Sequence, residues 1–199
     1  MKYLLLLFLL AATAAHAQMQ PPVPTSAELK RAAEAKELEK LPASTETLDA
    51  KNGFRQYKLG SSIVDYPNLK LRGASTYVAP NESMTIGDIR LMTLGFASYQ
   101  NKLAAISFST MGEANSNKLL AVLTAQYGQG QEAGYNKLAW TGSKVTMTFE
   151  KKTSTAAYRS IYSSATTGIY CEVYIVSNEL VAEMNARDKA AAKKAAGDL

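Results

Sequence analysis

From Val145 to Glu150 the chain reads VTMTFE. Val145, Met147 and Phe149 fall on one side of an extended strand, with Thr146, Thr148 and Glu150 on the other. That period of two marks a strand with one face in a core and the other in water. The run FRQYKL at 54–59, closed by Gly60, predicts a first strand. Ser61 and Ser62 then cap a short helical turn carrying Ile63, Val64 and Tyr66 ahead of Pro67. Residues 89–99 and 103–111 predict two long strands joined as a hairpin across Gln100, Asn101 and Lys102. Residues 135–140 predict an arm that the turn at 140–144 folds back onto the 145–150 strand. Residues 158–162 and 169–176 predict a last pair across 163–168.

One segment breaks the strand pattern. In NSNKLLAVLTAQY, residues 115–127, Leu119, Leu120, Val122, Leu123 and Tyr127 form a stripe at helical spacing wide enough to bury against a sheet. Asn115 or Ser116 is expected to cap its start and Gly128 its end. The fold class that follows is α+β: a single two-layer domain, mostly antiparallel sheet with one main packed helix, plus N- and C-terminal helices. No internal repeat of solenoid period is visible.

The ends of the chain differ from this middle. Residues 1–17, MKYLLLLFLLAATAAHA, place Lys2 ahead of an apolar run from Leu4 to Leu10 and finish in small residues, the layout of a secretory signal. The run is shorter than the roughly 20 residues needed to span hydrocarbon. The only cysteine, Cys171, is far from any lipidation position. The expected product is exported, periplasmic or extracellular, soluble and without stable membrane insertion after cleavage. Residues 18–52 read as linker and N-terminal helix. QMQPPVP is extended, Thr25 and Glu28 fit a capping box for a helix over 25–41, and 42–53 (PASTETLDAKNG) reads as a second linker. The α+β domain is expected over 53–177 and a C-terminal helix or tail over 178–199.

The order of NGFRQYKLGSSI, a long hairpin with LAAISFST in its second arm, a helix ending LLAVLTAQYGQG and the strand WTGSKVTMTFE resembles small exported bacterial α+β proteins and domains of unknown function. In these an F-R-x-x-K-[LF]-G strand is likewise followed by a hairpin, an LL…YG helix and a W…V-x-[ML]-x-[FY] strand. The resemblance spans about residues 52–176. It implies an exported α+β domain and brings no catalytic residue with it.

Chemistry is limited by what the chain lacks. His16, the only histidine, falls within the expected signal, so triads and His-containing metal sites are not expected. Cys171 alternates with Ile169, Val173 and Ile175 and is expected to be a buried thiol rather than a nucleophile. The central acids Asp65, Glu82, Asp88, Glu113, Glu132, Glu150 and Glu172 are scattered. Glu150 and Glu172 read as outward strand positions, and no spacing predicts the paired carboxyls of a glycosidase. Ser116 with Lys118 and Ser143 with Lys144 carry no surrounding catalytic motif. Asn81, Glu82, Ser83, Gly87 and Asp88 lack the dense acids of a calcium loop. GQGQEAG at 128–134 follows a helix rather than leading into one, and is expected to be a flexible connection rather than a phosphate cradle. Catalytic residues, cofactor and metal are therefore all expected to be none.

Charge and aromatics leave a binding reading. The formal net charge is +5, with 13 basic against 7 acidic residues over 51–178, so the middle is mildly basic. The C-terminal KAAAKK run is balanced by neighbouring acids, so it reads as a solvated helix face and nucleic acid is not an expected partner. Tyr170 and Tyr174 flank Glu172 opposite Cys171, and Tyr158 and Tyr162 share a face of the preceding predicted strand. Antiparallel pairing of those strands would gather four tyrosines into a binding face. The expectation is an exported, non-enzymatic binding or structural module of the bacterial cell envelope, with an envelope protein or an acidic glycan as partner. A carboxylate-dependent hydrolase of an envelope glycan is one alternative. A hydrolase inhibitor presenting the 128–134 loop is the other.

Overall fold

The computed structural model describes residues 45–154 and 168–197. The expected signal, the helix predicted over 25–41, and Tyr158 and Tyr162 lie outside these residues. The first described element is a helix, α1 (Thr45–Lys51), followed by a two-stranded hairpin of β1 (Gly53–Phe54) and β2 (Tyr57–Lys58) and a single 3-10 turn at Ile63–Asp65.

Two sequence expectations change here. Residues 45–51 are not linker: Leu48 is only 1% exposed, and Asp49 hydrogen-bonds the turn at 142–145. One buried leucine and one carboxylate dock the helix, too few to leave an apolar stripe in the sequence. The predicted strand at 54–59 is bent into the β1/β2 hairpin, with Arg55 at a left-handed φ of 56°. Tyr57 is thereby sent inward against Phe96, ring centroids 4.4 Å apart.

The main sheet has nine strands, all antiparallel. In chain order they are β3 (Lys70–Leu71), β4 (Thr76–Val78), β5 (Thr85–Ile86), β6 (Ile89–Tyr99), β7 (Lys102–Met111), β8 (Gln131–Gly134), β9 (Lys137–Thr141), β10 (Val145–Ser154) and β11 (Gly168–Ser177). Across the sheet the order is β3-β4-β6-β7-β11-β10-β9-β8, with β5 beside β6. Two meanders therefore join where β11 pairs with β7, and α2 (Glu113–Tyr127) connects them. The 89–111 hairpin, the 137–150 hairpin and the alternation of Val145, Met147 and Phe149 stand as the sequence predicted, and those three side chains are buried.

The core lies between one face of the sheet and α2. Leu119, Leu123 and Tyr127 join Ile106, Phe108, Trp140, Phe149 and Val173 in one buried cluster. Each such side chain contributes roughly 1.5–3 kcal/mol of transfer free energy. Val122, part of the predicted stripe, is 40% exposed and lies on the outer side of the helix. The start of α2 also differs. Gly112 occupies the cap position, the Ser116 hydroxyl is buried against Thr110 Oγ1 at 3.1 Å, and the Asn115 side chain bonds the Arg90 backbone instead. Thr110 Oγ1 is also 3.0 Å from Cys171 Sγ, so the lone thiol is a buried member of the core.

The glycine-rich stretch after α2 is not a free connection. Residues 131–134 form β8 on β9, and Gly130 lets the chain pass over Trp140, whose ring carbons would lie 2.9 Å from an added Cβ. Trp140 Nε1 donates to the Gly128 carbonyl at 2.8 Å. All four β8 residues are exposed, so no alternation announces the strand. Helix α3 (Asn178–Gly197) closes the described chain, with Leu180 as its buried side chain and Arg187 stacked 5.1 Å from the Tyr99 ring. No helix among the described residues is long and apolar enough to cross a membrane.

Candidate binding face

α2 covers one face of the sheet, and the other carries the outward residues of the central strands. On β11 these are Tyr170, Glu172 and Tyr174. Directly across on β10 stand Lys152, Glu150 and Thr148, and on β7 stand Met111, Ser109 and Ser107. The sheet thus brings Tyr170 and Tyr174 onto one face, as the sequence predicts, while Tyr158 and Tyr162 lie outside the described residues. Both edges of β11 are occupied, by β10 and by β7.

Register also creates a carboxylate pair that spacing along the chain conceals. Glu150 and Glu172 are direct cross-strand neighbours, a relation that sets Cβ atoms about 4.5–5.5 Å apart. Lys152 Nζ lies 2.5 Å from Glu172 Oε2 and 3.6 Å from Glu150 Oε2, and Lys137 Nζ reaches Glu150 Oε2 at 4.0 Å. The four form a ladder of alternating charge across β9, β10 and β11. The hydrogen bond to Glu172 holds the Lys152 ammonium above its ordinary pKa, against a smaller opposing effect of burial, and the charges of Glu172 and Glu150 add to it. Tyr174 Oη sits 3.5 Å from Glu172 Oε2, and burial followed by the Glu172 charge pushes its phenol up.

Beside Tyr174 the face is floored by small residues. A groove of about 310 Å³ runs over Gly95, Ala97, Ala105 and Ser107, with the Tyr174 ring on one side and Arg72 and Thr76 on the other. Tyr174 is 43% exposed. Close by, the hydroxyls of Thr93 and Ser109 pair at 2.6 Å. An exposed aromatic ring, a cation, two carboxylates and a row of hydroxyls can stack on and hydrogen-bond a polar ligand. The carboxylates are partly exposed and bridged by Lys152, so in this arrangement neither is a lone buried acid. Among the described residues, no group of three or more His, Cys, Asp or Glu side chains is arranged to hold a metal ion.

The sequence reading did not single out Lys152, Lys137 or Arg72. Lys152 was within reach, since the alternation that places Glu150 outward continues to it. Arg72 was not, because its place at the groove depends on the β3/β4 hairpin. The opening FRQYKLG motif lies away from this face. Arg55 Nη1, Gln56 Nε2 and Tyr57 Oη each donate to Glu82 at 2.8 Å, pinning the β1/β2 hairpin to residues 82–85. The 128–134 segment is largely paired as β8 rather than a protruding loop.

Searches of family models, of curated proteins and of solved structures give no match for this chain.

Proposed function

We propose that this chain is an exported, non-enzymatic binding module of the bacterial cell envelope, and that it engages its partner through the face of its sheet opposite α2. The observation that carries this reading is the half-exposed Tyr174 ring set between the Lys152–Glu172 pair and the small-residue groove. Tyrosine buries much area at little entropic cost and keeps a polar end, which suits either an envelope protein or an acidic glycan.

In-cell crosslinking of the tagged full chain, followed by identification of captured protein and glycan, tests it. A Tyr170→Ala, Tyr174→Ala double variant is run in parallel. The expected outcome is a stoichiometric partner captured by the native chain and lost from the variant, with the circular dichroism spectrum unchanged. A partner retained by the folded variant would remove this face from consideration.

A second reading draws support from the cross-strand position of Glu150 and Glu172: hydrolysis of a glycan by the two carboxyls. Incubation with envelope glycan separates the two. A hydrolase releases new reducing ends, and Glu172→Gln abolishes the release. A binding module retains the glycan and releases none.

A further inference from the structure

A second concavity lies on the opposite side of the sheet, where α2 does not reach the β8/β9 hairpin. It measures about 370 Å³. Leu138 and Phe149 form its floor and Leu120 of α2 a wall. Tyr135 stands at the hairpin tip, 93% exposed. Lys151 and Glu132 complete the lining. The Lys151 ammonium donates to Asn117 Oδ1 at 2.6 Å, and no carboxylate of the described residues lies within 4.0 Å of it, which leaves donors and a full charge available. Lys137 also touches the cleft, but its ammonium turns toward Glu150 on the other face.

An apolar floor, an exposed ring and a cation that no carboxylate of the described residues pairs define a ligand chemistry. We propose that this cleft binds a small amphipathic anion, a flat apolar body carrying one carboxylate or sulfonate, with the body between Leu138, Leu120 and Tyr135 and the anionic group on Lys151. The volume is within the range of small-molecule sites, and the mildly basic domain favours the same charge. Glu132 opposes the anion, which gives the proposal a signature of opposite sign on the two rims.

Fluorescence titration of the full chain with 1-anilinonaphthalene-8-sulfonate, alongside the neutral N-phenyl-1-naphthylamine, reads the site. The expected result is saturable binding of one sulfonate probe per chain, tighter than the neutral probe. Lys151→Met weakens the sulfonate about three- to fivefold, Lys151→Arg restores it, and Glu132→Gln tightens it. Tyr135→Ala weakens both probes about fivefold. Near-ultraviolet circular dichroism confirms that each variant is folded, and if Lys151→Met is not, the opposed effects of Lys151→Gln and Glu132→Gln carry the test. Equal affinity for the two probes, indifference to both rim substitutions, or loss of binding on Tyr174→Ala instead of Tyr135→Ala would overturn the proposal.

Discussion

Asp49 accepts the Ser143 amide and hydroxyl at 2.7 Å on one oxygen, and the Lys144 and Val145 amides at 2.9 and 3.0 Å on the other. Burial pushes this carboxyl up, and the bonds from Ser143, Lys144 and Val145 outweigh it, so it sits below its ordinary value. The close approach has a steric condition. A Cβ on residue 142 would lie 2.2 Å from Asp49 Oδ1, so only glycine leaves room for the carboxylate. Asp49→Ala strips three amides of their acceptor and is expected to cost about 1–2 kcal/mol, discounted because the site is partly solvated. Gly142→Ala expels the same carboxylate and should cost a similar amount. In the Asp49→Ala background, however, Gly142→Ala should cost under about 0.5 kcal/mol, because nothing remains to displace. Urea unfolding of the four chains closes the cycle, and additive losses would show that the two residues do not share one interaction.

At the level of elements, the β6/β7 hairpin closes through a turn of unusual composition. Gln100 and Asn101 both adopt left-handed φ values, 50° and 62°, the geometry that matches strand twist and favours Asn-Gly. Asn101→Gly is therefore expected to stabilise by about 0.5–1 kcal/mol, read as a higher urea midpoint at unchanged m-value, since relief of the strain exceeds the entropy that glycine adds to the unfolded chain. An unchanged or lower midpoint would mean that the asparagine side chain contributes more than its backbone strain costs. Elements of this kind were legible because a long strand repeats its alternation, as β6, β7 and β10 do, and because a helix with several inward residues, α2, repeats its stripe. α1 and β8 were not. The first buries little beyond Leu48 and is held by a carboxylate, and the second is an edge strand with every residue exposed. The candidate face was legible only in part. Tyr170, Glu172 and Tyr174 follow from alternation within one strand. The Glu150–Glu172 pairing depends on register between strands, which no local pattern encodes until the partner strand is known.

For the whole molecule, the titrating groups that support the fold lie at opposite ends of the pH scale. Glu82 is driven up by burial but held below its usual value by bonds from Tyr57, Gln56 and Arg55 and by the Arg55 charge, and Asp49 is lowered as well. A carboxyl whose folded pKa is depressed leaves the unfolded chain binding more protons. Its contribution is complete above the ordinary values of 4.5 and 3.8 and is lost as pH falls through the folded ones. Tyr127 is pushed by burial to about 12, and Tyr57 is raised by burial and then by Glu82. For these the neutral phenol is the folded form, so their contribution is complete below the ordinary 10.0 and is lost as pH rises beyond it. Urea midpoints across the pH range should therefore form a plateau with two separate descents. Tyr127→Phe should flatten the alkaline descent, by about 2 kcal/mol at its far end, and leave the acid one in place. Glu82→Gln should lower the plateau and blunt the acid descent, because the Arg55 and Tyr57 donors lose their charged acceptor at every pH, and should trim the alkaline descent only by the part of the Tyr57 shift that Glu82 supplies. Descents that moved together in both variants would mean that net charge, rather than these named groups, sets the limits of the fold.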